Sequence, residues 1–235
     1  MVSVSNDVHT GTVLSIILAG GRGSRLHDLT DNEAKPALPI GPHARLLDFT
    51  MANVVNSGLG EAMVLTQYQP DTLHSHLLEA WQAESAEPAV SILDGAEYGP
   101  YEGTAAAVSC IVDEIDLVGP RHVVILAGDH LYQMDYRPFV ERHVATGAEV
   151  TVGVVHVPQE QASGFGVLEV DAAHRITAFV EKPFVAPPAL DRPGYALASM
   201  GIYVFEWKLL RQLLRELDGT VADLDFGKHI IPALV

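Results

Sequence analysis

Three short segments contain residues suited to binding phosphates together with a cation. Residues 20–25 combine three glycines with Arg22 and Arg25, residues 128–130 carry Asp129, and residues 181–183 carry Lys182. Glycines let the backbone approach a phosphate closely, and the arginines add positive charge. A carboxylate such as that of Asp129 is a ligand that Mg²⁺ prefers. The residue types therefore predict a site for an anionic, phosphate-bearing ligand.

The glycine-rich segment does not fit the two commonest nucleotide fingerprints. A dinucleotide fingerprint requires a third glycine at position 26, which is Leu26. The Gly-Lys-Ser/Thr ending of a Walker A loop is also missing. An ordinary glycine-rich turn between a strand and a helix stays open as the alternative for this segment taken alone.

The predicted elements would bring these segments to one edge of a sheet. Short apolar runs predict strands at residues 13–18, 62–66, 122–127, 150–157, 166–170, 176–180 and 200–205. Helical spacing predicts helices at residues 48–56, 71–82, 103–115 and 207–217. Such alternation is typical of an α/β domain with a mostly parallel sheet covered on both faces. Ligands bind outside the carboxyl ends of strands in these sheets, where the three segments fall.

Composition narrows the class of protein. Of the 235 residues 48% are hydrophobic, which predicts a packed core, and the net charge of −16 argues against nucleic acid or anionic membrane as partners. Cys110 is the one cysteine, so no internal disulfide is possible and a reducing compartment is expected. No apolar run approaches the ~18 residues of a membrane span. We expect a soluble cytoplasmic domain, preceded by a disordered tail over residues 1–12.

Longer strings of residues resemble a known family. Residues 18–26 (Leu-Ala-Gly-Gly-Arg-Gly-Ser-Arg-Leu) and 34–38 (Ala-Lys-Pro-Ala-Leu) resemble the nucleotide-binding signature of sugar-1-phosphate nucleotidyltransferases, and most of all that of the ADP-glucose pyrophosphorylase (glucose-1-phosphate adenylyltransferase) family. Further segments are similar to family motifs and follow in the family's order: residues 48–49, 56–58, 66–69, 103–105, 125–130, 165–167, 180–183, 198–205 and 225–228. The resemblance implies one Rossmann-like, three-layer domain of the glycosyltransferase-A type over residues 13–235, with a mixed, mostly parallel sheet.

The same resemblance implies a reaction and a set of site residues. The reaction joins ATP to glucose 1-phosphate, with Mg²⁺ as cofactor, to form ADP-glucose for glycogen synthesis and pyrophosphate. The resemblance assigns catalysis to Arg25, Lys35 and Asp129, and the metal to Asp129 and Asp225. It places at the nucleotide Leu18, Ala19, Gly20, Gly21, Gly23, Gln67, Tyr101, Gly103 and Thr104, and at the sugar phosphate Gly166, Glu181, Lys182 and Ser199. From local sequence alone, Asp225 is equally well explained as the N-cap of the last helix.

Several positions depart from the family pattern and keep alternatives open. Pro100 and Ala106 stand where the family has a tryptophan and an acidic residue, so UTP or dTTP is an alternative to ATP. Asn32 and Glu33 stand where enzymes activated by sugar phosphates carry basic residues, so weak or altered activation is expected. The family's C-terminal β-helix domain is not expected within these 235 residues, so the sequence is interpreted as either a catalytic-domain fragment or a naturally short relative. This leaves homo-oligomer formation open, and it keeps a non-catalytic, ligand-binding relative as the second alternative.

Overall fold

Eight strands form one mixed sheet in the computed structural model, which describes residues 13–81, 89–99 and 101–235. The predicted tail of residues 1–12 and Pro100 lie outside the described residues, as does the side chain of Arg25. The strands are β1 (Val13–Leu18), β2 (Glu61–Thr66), β3 (Ala89–Asp94), β4 (His122–Ala127), β5 (Val150–Pro158), β6 (Gly166–Val170), β7 (Ile176–Glu181) and β8 (Tyr195–Glu206). Their order is β3-β2-β1-β4-β8-β6-β7, and β5 pairs with β8.

The strand directions confirm the predicted mixed, mostly parallel sheet. Strands β1 to β4 run parallel to one another, and β8 is antiparallel to β4. Because β5 and β6 are each antiparallel to β8, they run in the direction of β1, and only β7 and β8 among the described strands run the opposite way. The predicted glycine loop and Asp129 come after strands of the parallel half. The predicted sugar-phosphate residues belong to the antiparallel half, where Gly166 begins β6, Glu181 ends β7 and Ser199 lies within β8.

Helices cover both faces of the sheet and complete the predicted three layers. They are α1 (Leu47–Asn56), α2 (Pro70–Ala80), α3 (Thr104–Ser109), α4 (Val112–Val118), α5 (Arg137–Thr146) and α6 (Trp207–Leu217). Alternate residues of β1 enter different cores: Leu14 and Ile16 pack with α3, α4 and α6, whereas Val13 and Ile17 pack with α1, α2 and α5. This alternation follows from the two-residue period of a strand. No helix of the described part is both long and apolar enough to cross a membrane.

Short helices occupy several of the loops in the described part of the chain. Their bounds are Ser24–Thr30, Lys35–Ala37, Gly95–Tyr98, Gln159–Gly164 and Pro232–Leu234 for 3₁₀-helices, and Phe226–Ile230 for one π-helix.

The structure also contains elements that the sequence patterns did not predict. Strand β3 buries Val90, and helix α5 buries Val140 and His143. With so few buried side chains, neither element has a clear apolar period in the sequence. The predicted helix 103–115 is two helices, because Ile111 leaves helical geometry between α3 and α4. Strand β8 begins at Tyr195 rather than at residue 200, and the register irregularity in its pairing with β5 accommodates Gly201 at a φ of 69°.

Candidate functional site

A cleft of about 1060 Å³ lies at the carboxyl ends of β1, β2 and β4 and reaches across to β6, β7 and β8. It brings together nearly all residues predicted for the site: Leu18, Gly20, Gly21, Gly23, Lys35, Gln67, Tyr101, Gly103, Thr104, Asp129, Gly166, Glu181, Lys182, Ser199 and Asp225. Ala19 is instead fully buried, and its N–H donates to the carbonyl of Leu65 at 2.8 Å. The main chain at Arg25 lies in the 3₁₀-helix Ser24–Thr30, beside the cleft.

The glycine loop, residues 20–23, is shaped by the side chains behind it. A Cβ on Gly20 would lie 2.8 Å from the Cβ of Gln67, and one on Gly23 would lie 2.7 Å from the Cβ of Lys35. Gly23 also has a φ of 66°, which glycine adopts without the steric cost of a Cβ. The buried Thr30 hydroxyl closes the loop, since its one proton lies between the carbonyl oxygens of Gly23, at 3.1 Å, and His27, at 3.2 Å. Glycine is therefore required at both positions by close packing.

Lys35 and Asp129 form an ion pair at the wall of the cleft. Lys35 begins the 3₁₀-helix Lys35–Ala37, whose Pro36 and Ala37 are buried, and its Nζ lies 3.0 Å from Oδ2 of Asp129. Asp129 lies two residues after the end of β4, and Nε2 of His130 lies 3.5 Å from its other carboxylate oxygen. Both partners of the ion pair are about a third exposed, at 28% and 33%. Ligand phosphates can therefore reach a cation and a carboxylate from the same side.

Asp225 caps the π-helix Phe226–Ile230 and also lines the cleft. Its Oδ1 accepts hydrogen bonds from the N–H groups of Gly227 at 2.9 Å and Lys228 at 3.2 Å. Its Oδ2 accepts one from the Thr104 hydroxyl at 2.8 Å. The cap that local sequence predicted is confirmed, and the same carboxylate borders the candidate site.

Glu181 and Lys182 occupy the opposite half of the cleft, where Glu181 ends β7 and Lys182 follows it. Lys182 has a φ of 50°, its N–H donates to the Phe165 carbonyl at 2.9 Å, and its Nζ lies 3.1 Å from Oε1 of Glu181. The other oxygen of Glu181 fits between two glycines: a Cβ on Gly166 would lie 2.9 Å from Oε2, and one on Gly227 would lie 2.8 Å from it. The pair of glycines leaves room for one carboxylate beside one exposed ammonium group.

The end of the cleft that was predicted to hold the base is built around Gln67 and Tyr101. The Gln67 side-chain amide donates to the Tyr101 carbonyl at 3.1 Å. The Tyr101 hydroxyl packs against Gly95, where a Cβ would overlap it, and burial raises the pKa of Tyr101 to about 12. Ala106 is half-buried against the core, and its N–H donates to the Leu224 carbonyl at 2.9 Å. This end therefore presents neutral polar groups beside an aromatic ring.

The carboxylates in the cleft suit a hard cation that is shared with a ligand. No group of three or more His, Cys, Asp or Glu side chains in the described ranges could hold a metal ion by itself. Asp129 and Asp225 supply carboxylate oxygens to one cleft, and Mg²⁺ is typically bound by one or two carboxylates plus phosphate oxygens and water. The donor set therefore fits Mg²⁺ bound together with a nucleotide, and not a pre-formed metal centre.

Gly227 and Phe165 line the cleft although neither was predicted as a site residue. Both lie within segments that resemble family motifs, residues 225–228 and 165–167. That resemblance is the sequence feature from which they could have been predicted. Glu33, predicted to weaken binding of an anionic activator, lies 3.7 Å from a guanidinium nitrogen of Arg45. That carboxylate therefore partly neutralises the charge of Arg45.

Comparisons with known proteins place the chain in a family. A family model described as nucleotidyl transferase matches residues 14–235. A glucose-1-phosphate adenylyltransferase of Cereibacter sphaeroides is 44% identical over 233 residues, which cover 96% of this chain and 55% of the relative. Proteins of the same name from Mesorhizobium japonicum and Rhizobium meliloti are each 46% identical over 231 residues, covering 94% of this chain and 54% of the relative. The chain thus spans about half the length of these curated relatives. With its sheet, its cleft and a match over nearly all its residues, the chain belongs to the nucleotidyl transferase family.

Proposed function

We propose that this chain carries the active site of a glucose-1-phosphate adenylyltransferase, which converts ATP and α-D-glucose 1-phosphate to ADP-glucose and pyrophosphate for glycogen synthesis. The observation that carries the proposal is the single cleft with the Lys35–Asp129 pair beside the glycine loop and the Glu181–Lys182 pair across from it. Two cationic side chains on opposite walls suit two anionic reactants. The names of the relatives supply the identity of those reactants.

The reaction needs charge neutralisation and positioning more than proton transfer. A phosphate oxygen of glucose 1-phosphate forms a bond to the α-phosphorus of ATP, while the bond from that phosphorus to the pyrophosphate oxygen breaks. The attacking oxygen is already ionised, so no general base is required. Lys35 would neutralise nucleotide phosphates, and Lys182 would hold the sugar phosphate. Arg25 is proposed to act on the nucleotide phosphates as well.

The proposal extends to the cofactor and the compartment. Mg²⁺, held by Asp129 and Asp225, would supply positive charge to the phosphate oxygens in the transition state. We propose a cytoplasmic location because ATP and sugar phosphates are available there, and because the single cysteine suits a reducing compartment.

The test measures pyrophosphate release from the purified chain with Mg²⁺, glucose 1-phosphate and, in turn, ATP, UTP, dTTP and GTP. We expect release with ATP, and a loss of at least 100-fold in kcat/KM for Asp129→Asn and Lys35→Gln. The matched controls are Asp113→Asn and Lys208→Gln, since both side chains are exposed and lie away from the cleft.

Each other outcome of that panel has a defined meaning. Release with UTP or dTTP alone would keep the reaction class and change the base, in line with the departures at Pro100 and Ala106. A folded chain that releases no pyrophosphate with any nucleotide would contradict the proposal and favour a non-catalytic relative. Retention of the Lys35–Asp129 ion pair within the cleft argues against that second candidate.

A further inference from the structure

The start of α3 and the segment before the π-helix form one hydrogen-bonded seam across the floor of the cleft. The N–H groups of Ala105 and Ala106 both donate to the carbonyl of Leu224, at 3.0 and 2.9 Å. Gly103 has a φ of 98°, and a Cβ there would overlap the same carbonyl oxygen. The seam joins the side of the cleft predicted to hold the nucleotide to the element that holds Asp225.

Thr104 lies in the middle of this seam, and its hydroxyl both donates and accepts a hydrogen bond. The hydroxyl donates to Oδ2 of Asp225 at 2.8 Å and accepts from the N–H of Phe226 at 3.2 Å. A hydroxyl has one proton, so its only donor is committed to the Asp225 carboxylate. A hydroxyl with this commitment cannot also donate to a nucleotide.

The hydroxyl completes the restraint on the Asp225 carboxylate. Oδ1 is held by the N–H groups of Gly227 and Lys228, and Oδ2 is held by Thr104. Hydrogen bonds to both oxygens fix the plane of the carboxylate. Because Oδ1 accepts two of them and Oδ2 accepts one, one of about four lone-pair sites, on Oδ2, is left for a cation. Groups that orient a metal-binding carboxylate typically change metal affinity or activity 10–100-fold when they are removed.

We propose that Thr104 is a positioning residue: its hydroxyl orients the Asp225 carboxylate toward a divalent cation shared with the nucleotide triphosphate. This inference rests on the proposed function, and it differs from the prediction that Thr104 contacts the nucleotide directly. A positioning role requires the hydroxyl and tolerates the loss of the methyl group. A contact with the nucleotide would instead change the affinity for ATP.

The experiment compares Thr104→Val, which removes the hydroxyl and keeps the shape, with Thr104→Ser, which retains the hydroxyl. Mn²⁺ binding is measured by electron paramagnetic resonance in the presence of ATP and without glucose 1-phosphate. Pyrophosphate release is measured separately as a function of Mg²⁺ and of ATP. We expect Thr104→Val to weaken Mn²⁺ binding about 10- to 100-fold and to lower kcat, with little change in KM for ATP, and Thr104→Ser to stay within about threefold of wild type.

A double-mutant cycle separates positioning from general support of the fold. In the Asp225→Asn background, we expect Thr104→Val to cause no further loss of Mn²⁺ affinity, because the group it orients has already been changed. Thr220→Val is the matched control, since Thr220 is exposed and its hydroxyl donates to the Leu217 carbonyl at the end of α6. Urea unfolding of each variant verifies that the protein is folded.

The outcomes are distinguishable from failure of the proposed reaction. Unchanged Mn²⁺ affinity with a raised KM for ATP, or fully additive losses in the cycle, would overturn the positioning role. If the wild-type chain releases no pyrophosphate, but Mn²⁺ affinity falls in Thr104→Val and not in Thr104→Ser, the proposed reaction is refuted. The positioning role of Thr104 is then still supported.

Discussion

The backbone at Lys182 combines a functional side chain with an unfavourable conformation. A φ of 50° places this residue in the left-handed region, which costs a side-chain-bearing residue about 1 kcal/mol relative to glycine. The carbonyl of Phe165 retains the conformation by accepting the Lys182 N–H at 2.9 Å. Strain of this kind is tolerated where the position of a side chain matters more than stability.

Replacement of Lys182 should therefore separate stability from activity. We expect Lys182→Gly to raise the free energy of unfolding by about 1 kcal/mol over Lys182→Ala, since glycine relieves the strain and alanine does not. Both variants lose the ammonium group and should raise KM for glucose 1-phosphate at least 10-fold. Urea unfolding and initial rates are the measurements. Equal stability of the two variants would show that the backbone is not strained here.

The space between Gly166 and Gly227 that holds Oε2 of Glu181, here called the carboxylate slot, gives a second prediction at the residue scale. A Cβ on Gly227 would lie 2.8 Å from Oε2 of Glu181, so Gly227→Ala should displace that carboxylate. We expect KM for glucose 1-phosphate to rise about 10-fold while KM for ATP changes less than about threefold. The control is Gly164→Ala, because a Cβ there meets no atom within 4 Å. Similar kinetics for the two variants would contradict a role of the carboxylate slot in binding glucose 1-phosphate.

At the scale of elements, β4, α5 and β5 meet at a buried pair of histidines far from the cleft. His143 is fully buried between Thr151, at 2.9 Å, and His122, at 3.2 Å. Burial, followed by the neighbouring His122, lowers the pKa of His143 from 6.5 to about 4. Burial and the charge of Arg121 also lower the pKa of His122, although Glu206 opposes this shift. The pair is thus held neutral in the folded state.

This pair should make stability depend on pH. Between about pH 6.5 and pH 4 the unfolded chain binds protons that the folded His143 does not, so the free energy of unfolding falls as the pH falls through that window. The fall from this residue is at most roughly 3 kcal/mol and levels off below about pH 4. Urea unfolding at several pH values should show a smaller slope for His143→Gln, whereas the exposed His43→Gln should match wild type. An unchanged slope in His143→Gln would contradict the assignment.

At the scale of the whole molecule, the cleft separates two differently built halves of the sheet. The glycine loop and Asp129 follow parallel strands, whereas Glu181 and Ser199 belong to antiparallel strands. A ligand that contacts both halves binds the folded state only, and therefore stabilises the whole domain.

Nucleotide binding should therefore raise the stability of the domain. We expect ATP with Mg²⁺, at about 100 times its Kd, to raise the free energy of unfolding by about 2.7 kcal/mol. Glucose 1-phosphate should add a further increment in wild type but not in Lys182→Ala. Thermal and urea unfolding report both effects. A folded chain that no nucleoside triphosphate stabilises would contradict a nucleotide site in this cleft.

Elements with strong local signals could be predicted from the amino-acid sequence. Buried apolar runs predicted β1 and β4, and the glycine loop, Lys35 and Asp129 follow in fixed positions along the chain. The cap formed by Asp225 was also predictable, because a cap depends on residues two and three positions away. Strand β3 and helix α5 escaped prediction because tertiary packing, and not an apolar period, stabilises them.

Which of these residues lie in contact depends on the folding of distant segments onto one another. The Thr104 hydroxyl reaches Asp225 across 121 positions of sequence, and Lys35 reaches Asp129 across 94. The close approach of Glu181 to Gly166 and Gly227 likewise depends on two strands and a π-helix that come together in the folded chain. Local periodicity carries no information on such distances, because they are set by strand order and by the packing of helices on the sheet.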